Sequence, residues 1–385
     1  MDAARRTKPP FRADHVGSLL RPAGLKEARV RLLGPDTAES NLGPHGNEEL
    51  AKIEDGFVRD VIALQKRVGL RSATDGEFRR RSWFSELMMT WEGFSATRQG
   101  ASSPFSWRNE ENRQQDFTVV WVEGKVGWRP SAVVRAFEFL HANTDAVAKV
   151  TIPAPPVVYC FAGGDPGVVG PAYDDVGAFW EDLVAAYRQE LAALAAAGAR
   201  YIQLDDVAIP FLCDPTYEEV FRSWGSGPQA VLAEYARRIN QCLEGLPADV
   251  TVTMHQCRGN REGLWAAAGG YDPVAEVLFN EINVQGYFLE YDTPRAGTFE
   301  PLRFLPEGKV VALGIVSTKG PTLESADHLK RRIDDAARYA PLERLALAPQ
   351  CGFASSVKGN PLTEADEEAK LARMVEVASD VWGDA

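Results

Sequence analysis

The chain has 385 residues, 45% hydrophobic and 25% charged, which is enough apolar material for a large core and too little bias for wholesale disorder. Its net charge of −12 argues against nonspecific binding to nucleic acid or anionic membranes, while leaving room for a local basic pocket. Five cysteines (Cys160, Cys213, Cys242, Cys257 and Cys351) are an odd, sparse set rather than a disulfide framework. A reduced, cytoplasmic setting is expected. The N-terminal stretch lacks the apolar core of a signal peptide, and no apolar run reaches the roughly 18 residues of a membrane span.

Short β-like runs alternate with long amphipathic helical patterns. Residues 11–18 (FRADHVGS) form the first candidate strand. A polar, glycine- and proline-rich loop over 31–49 leads to a helix over 48–69, whose apolar residues recur at three- and four-residue spacing and which closes on glycine. Strands follow at 70–77 and 148–155, a helix at 174–198, and a strand at 200–206. Helical patterns fill 216–245. Four further strands fall at 250–257, 284–290, 309–316 and 344–351, with helices at 325–339 and 363–382. Strands that alternate with helices imply parallel pairing. Eight such units predict a single α/β domain over 1–385, a (β/α)8 TIM barrel. The runner-up, a doubly wound open sheet, lacks its glycine-rich phosphate fingerprint after the first strand. Residues 83–130, rich in aromatics, interrupt the rhythm between strands two and three. They read as an insertion containing a β-hairpin over 117–128 that turns at Glu123-Gly124.

In a parallel barrel the active site lies at the C-terminal ends of the strands. His255 and Cys257, one residue apart at the end of the fifth strand, face the same way in extended chain. Glu290 ends the sixth strand and Cys351 the eighth. Thiolates, imidazole and a carboxylate suit zinc, and one exchangeable position would make such a site catalytic. Each of these residues taken singly also fits an ordinary buried or ion-paired role. The same rim gathers Asp75, Glu77, Asp205 and Asp206, which fit ammonium binding, acid–base work or pairing with Arg79, Arg80 and Arg81. DGEFRRR equally fits a helix N-terminus. Cys160, Cys213 and Cys242 read as structural. So do His45, His141, His328 and His15, although His15 sits at the end of the first strand, near the pocket.

Taken in order, DHVGSLLRP, TDGEFRR, KVTIPAP, YIQLDD, HQC, FLEYD, LGIVSTK and PQCGF resemble the catalytic C-terminal barrel of cobalamin-independent methionine synthase, and more closely its short, single-barrel relatives. The resemblance spans nearly the whole chain. It implies Zn2+ held by His255, Cys257, Glu290 and Cys351, with homocysteine bound to the metal through sulfur and methylated in an in-line displacement. It implies that Ser18 and the Gly17 backbone hold the substrate carboxylate, and that Glu77 and Asp205, with Asp206 as the neighbouring alternative, take its ammonium group. One motif departs from the family. Where methionine synthases carry Asp-Ile-His, with the histidine as proton donor, this chain has Ser317-Thr318-Lys319, so Lys319 and Asp205 become the candidate catalytic residues. The methyl donor is then a methylfolate, a methylated corrinoid protein or a small S-methyl compound. Trp83, Trp91 and Trp107 of the insertion fit a cover for a flat cofactor, and fit core packing or a homo-oligomer contact better. A second reading keeps the zinc–thiol chemistry but adds coenzyme M to epoxides, or serves another alkyl transfer. Two carboxylates at the substrate rim oppose a sulfonate thiol. A third reading is zinc storage without catalysis.

Overall fold

The structure is a computed structural model, and it describes residues 6–35, 43–96, 103–109, 111, 114–116, 120–170, 172–225 and 227–385. Seven parallel strands form one curled sheet: β1 (Ser72–Ala73), β2 (Val147–Pro153), β3 (Tyr201–Asp206), β4 (Thr251–Gln256), β5 (Gly286–Glu290), β6 (Val310–Val316) and β7 (Leu345–Pro349). They pair in chain order. Helices join consecutive strands, as parallel pairing requires. Strand β3 is buried along its whole length, as expected where the sheet is covered on both faces.

The helices start and stop where the sequence places its caps. Asn47 accepts the Leu50 N–H at the head of Glu48–Val68, and Gly69 closes that helix with φ 94°. Asp175 caps Val176–Ala196 and Ser325 caps Ala326–Ala336. Thr363 and Asp366 form a reciprocal capping box at the start of Glu364–Trp382. The helical stretch expected over 216–245 contains two helices, Glu218–Ser223 and Gly227–Leu243. Helix Ala23–Leu33 runs into the loop expected over 31–49, of which residues 36–42 lie outside the described residues.

Two expected strands are shorter than their patterns. Segment 11–18 makes a single parallel bridge, Ala13 to Leu347 of β7. Its Asp14 carboxylate accepts the N–H groups of Phe11 and His15, at 3.2 and 2.8 Å, so side chain replaces ladder. The same carboxylate takes Ser72 Oγ of β1 and Tyr201 Oη, each at 2.8 Å, and pairs with Lys149 Nζ at 3.4 Å. The segment therefore lies between β7 and β1, the two outer strands of the sheet. The strand expected over 70–77 ends at Ala73, because the Gln65 side chain bonds both backbone groups of Thr74.

The inserted hairpin is corrected. Residues 117–119 of the expected hairpin lie outside the described residues, but Glu123-Gly124 is no turn. Trp121–Gly127 runs through it as one strand, antiparallel to Glu92–Ser95. A second small antiparallel pair joins Ser106–Arg108 to Gln114–Asp116. Val120, Trp121, Val122 and Val126 all face the core, so apolar packing carries the chain straight through the glycine.

Two predictions follow from this framework. Asp14→Ala leaves the fully buried Lys149 ammonium without its counter-charge, and is expected to cost about 3–5 kcal/mol. Chemical denaturation measures it, and a loss below about 1 kcal/mol would mean that the seam between β7 and β1 does not depend on this carboxylate. Glu367, whose Oε2 accepts the Leu20 N–H at 2.8 Å, has its carboxyl pushed up to about 8 by burial. The folded state keeps a proton that the unfolded chain releases near the ordinary value, so this group's contribution to stability falls as pH rises between those two values. Glu367→Gln is expected to flatten that slope in denaturation curves taken at successive pH values.

Candidate metal and substrate site

His255 lies near the end of β4, Cys257 one residue beyond it, and Cys351 two residues beyond β7. Their ligand atoms all fall within 4.8 Å of one another, and all three residues are buried. The two sulfurs are 3.7 Å apart, although 94 residues separate them. His255 Nδ1 sits 3.2 Å from the Phe288 carbonyl oxygen, which can only accept, so Nδ1 carries the proton. That bond orients the ring as metal-ligating imidazoles are oriented. Nε2 is buried without a conventional hydrogen-bond partner and faces the thiol pair. Burial alone would lower the His255 pKa, but Cys257 beside it, with Asp205 and Glu290, leaves it raised. The bond to Cys351 and then burial hold the Cys257 thiol well above its ordinary range. Two thiols and an imidazole, gathered with their ligand atoms within 4.8 Å of one another, form a set that a soft-to-borderline divalent cation would complete.

Glu290 stands apart from this trio. It is fully buried at the end of β5, where Arg295 Nη2 reaches its Oε1 at 2.6 Å and the Arg258 N–H donates to Oε2 at 2.7 Å. Burial would raise its pKa, but Lys319, then Arg295 and Arg258, bring it well below the usual carboxylate range.

A pocket partly open to solvent lies over the thiol pair. Ser18, Glu77, Asp205, Asp206, His255, Cys257 and Cys351 all line it. Asp205 pairs in register with His255 on the neighbouring strand and accepts from Gln203 Nε2 at 2.6 Å. Burial raises its pKa, Glu77 adds to the rise, and His255 opposes it. Asp206 is pushed up by burial to about 6, and its two oxygens accept the N–H groups of Ala208 and Ile209. It is therefore committed to capping a helical turn, which separates its role from that of Asp205. Glu77 sits in a turn at φ 60°, a strained setting for a residue with a Cβ. Its Oε1 accepts from Thr151 Oγ1 at 2.7 Å and lies 3.5 Å from Arg80, while Oε2 is buried with no partner.

The loop carrying Ser18 is fixed from three sides. Leu19 N–H donates to Gly76, Phe353 N–H donates to Ser18, and Leu20 N–H donates to Glu367. Gly17 has φ 139° and touches Thr151, and any Cβ there would strike that side chain at 2.5 Å. Gly17 itself is not among the pocket-lining residues.

Lys319 also lies off the pocket. Its Nζ donates to the Gly259 carbonyl at 2.9 Å, and its charge acts on Glu290. Its neighbour Thr318 is the hub of the departing motif, bonded to Gln350, Asn260 and the Gly352 carbonyl. Of the insertion's tryptophans, Trp83 and Trp107 form pocket wall with Phe161 and Phe211, whereas Trp91 packs edge-on against Tyr187 in the core. His15 is buried and off the pocket, and burial lowers it to about 4. Arg295, Arg258 and Asn260 were not singled out by sequence. The only signal for Arg295 is its place five residues after Glu290, in YDTPR.

A TIM-barrel-like α/β protein with a buried imidazole–dithiol group under an acidic, aromatic-walled pocket is what the fold and site define. Residues 174–380 match the family described as the catalytic domain of cobalamin-independent synthase. The Bacillus subtilis protein YxjH is 38% identical over 98% of this chain and 96% of its own length. A solved structure from Listeria monocytogenes, titled as a vitamin-B12-independent methionine synthase, has 31% identity and a TM-score of 0.72, covering 98% of this chain and 100% of that one. A methionine synthase of Pyrococcus abyssi is 29% identical over 79% of this chain and 80% of its own. This chain belongs to the cobalamin-independent methionine synthase family, which makes it a methyltransferase of that type. Among the described residues no helix is long and apolar enough to cross a membrane.

One steric constraint at this site is directly testable. A Cβ on Gly352 would lie 1.9 Å from Ser18 Oγ and 3.1 Å from Ser18 Cβ. Gly352→Ala is expected to cost about 1–3 kcal/mol. Ser18→Ala in the same background is expected to recover most of that loss, as a double-mutant cycle in denaturant would register. Independent, additive effects would place the two residues out of contact.

Proposed function

We propose that the whole chain, insertion included, acts as one catalytic unit: a zinc-dependent S-methyltransferase that methylates homocysteine to methionine. The observation that carries this reading is the convergence of His255 Nε2, Cys257 Sγ and Cys351 Sγ at the floor of a pocket that also presents Ser18, Glu77 and Asp205. The free imidazole nitrogen and paired thiols fit a zinc ion, with Glu290 as the fourth arm. When bound, zinc lowers the pKa of an incoming thiol and holds the nucleophile in its reactive form.

The protein's own residues then bind and orient. Ser18 and the Gly17 backbone hold the amino-acid carboxylate. The unpartnered Glu77 Oε2 and Asp205 receive the ammonium group. That positive charge favours the ionised form of Asp205, which burial otherwise disfavours. Trp83, Trp107, Phe161 and Phe211 exclude water from the sulfur and leave an apolar approach for the methyl group. The donor is a methylfolate, a methylated corrinoid protein or a small S-methyl compound. Lys319, tied to Gly259, acts first through Glu290; a proton delivered to the leaving group requires it to release that carbonyl. A cytoplasmic location and a homo-oligomer remain part of this proposal.

Cobalt-substituted protein titrated with homocysteine tests the reading. A saturable sulfur-to-cobalt absorption band is expected, and Cys257→Ser or Cys351→Ser is expected to abolish it. No band despite bound cobalt would overturn it. A response to coenzyme M in place of homocysteine would favour the alternative alkyl transfer. Glu77→Gln is expected to raise the homocysteine concentration at half-saturation roughly 10- to 100-fold, the equivalent of one lost charge-assisted bond.

A further inference from the structure

We propose that Arg295 is a positioning residue that competes with the metal for the Glu290 carboxylate. The inference rests on the reading of His255, Cys257 and Cys351 as metal ligands and goes beyond it, to the control of the fourth position.

Three cations act on Glu290, and their commitments differ. Lys319 gives its ammonium to the Gly259 carbonyl. Arg258 spends its guanidinium on the Gly269 carbonyl and the face of Tyr271, 4.0 Å away, and reaches Glu290 chiefly through its backbone N–H. Only Arg295 meets the carboxylate with its side chain at close range, 2.6 Å from Oε1, with Asp292 a weaker partner at 3.7 Å. Its Nε is buried without a hydrogen-bond partner, so the Glu290 contact is the principal anchor of the group. The guanidinium also lies over the Trp265 ring at 4.5 Å, which fixes its plane.

A carboxylate already neutralised by a guanidinium is a poorer metal ligand than a free one. Two thiols and an imidazole would hold the metal, while Glu290 is shared between Arg295 and the fourth position. Whenever Glu290 were not a ligand, Arg295 would keep its charge paired. No ionised carboxylate would then be left unpaired in the buried site.

The geometry links this latch to the pocket wall. Trp265 exchanges two backbone hydrogen bonds with Arg108, at 2.8 and 3.0 Å, and Arg108 follows Trp107, which lines the pocket. The surface that covers the substrate and the ring that seats Arg295 are thus tied by one backbone bridge.

The test uses the full chain with zinc in competition with a chromophoric chelator, and cobalt absorption as the spectroscopic companion. Arg295→Gln is expected to bind zinc about 10-fold more tightly, the usual scale for a residue that acts through a ligand. Its cobalt spectrum without thiol is expected to shift, and more homocysteine is expected to be needed for half the spectral change. Arg295→Lys, which keeps the charge, is expected to fall back toward the parent protein. In a Glu290→Gln background the effect of Arg295→Gln is expected to vanish. Unchanged or weaker zinc binding by Arg295→Gln overturns the proposal. So does an effect that persists in the Glu290→Gln background, since Arg295 would then act on something other than this carboxylate. If the parent cobalt protein ignores homocysteine altogether, the methyltransferase reading fails, and the zinc competition still decides the role of Arg295.

Discussion

The curl of the sheet is the constraint on which everything else depends. Cys257 follows β4 and Cys351 follows β7, with β5 and β6 between them. Strands lie about 4.8 Å apart, so a flat sheet would hold these positions about 14 Å from each other. Their sulfurs are 3.7 Å apart because the sheet curls and points both strand ends inward. Segment 11–18 completes the circuit without forming a ladder. It is held largely by the Asp14 carboxylate, which ties the segment's own backbone, β1, β3 and the buried Lys149 of β2 to a single side chain. The buried Asp14–Lys149 pair is a costly way to close a seam, but it leaves the neighbouring backbone free to place Gly17 and Ser18 at the rim.

Around that frame the charges sort by position. On one side of the imidazole–dithiol group stand the Cys257 thiol, raised by its bond to Cys351 and by burial, and Asp205, raised by burial. On the other stands Glu290, kept ionised by Lys319, Arg295 and Arg258. The first set gains from an incoming cation, whether metal or ammonium. The second already has its cations. A pocket arranged in this way has unmatched negative capacity on its open side and matched charge behind the imidazole–dithiol group. This asymmetry is what separates a reactive centre from a saturated structural one.

Much of this was legible in the sequence, for physical reasons that can be named. Five helices were marked by 3.6-residue periodicity, two of them also by a closing glycine, both of which are local signals, whereas Ala23–Leu33 and Ala132–Asn143 were not anticipated. Strands β2 to β7 were marked by apolar runs, and His255, Cys257 and Cys351 could be placed at strand ends from those runs alone. What was not legible depended on side chains replacing backbone. Gln65 ended β1 early and Asp14 kept 11–18 out of the ladder; both act across the fold, where no local pattern reports them. The Glu123-Gly124 pair has turn chemistry, but the apolar residues around it pack against the core and the strand continues. Glu290 was placed correctly on its strand. Its engagement with Arg295 depends on a short helical turn, Pro294–Ala296, whose direction a sequence does not disclose.

The stapling of the Ser18 loop also fixes when the site can come into being. Ser18 accepts from Phe353, and the next residues are held by Gly76 and Glu367. A chain made from its N-terminus exposes Ser18 among the first segments, yet two of the three partners that fix this loop, Phe353 and Glu367, come from its far C-terminal part. For almost the whole of synthesis the rim is a loose strand end waiting for its counterpart. The pocket is therefore among the last features to form, and it forms only as the final helix docks. An incomplete chain can hold much of its sheet and still have no place for a substrate.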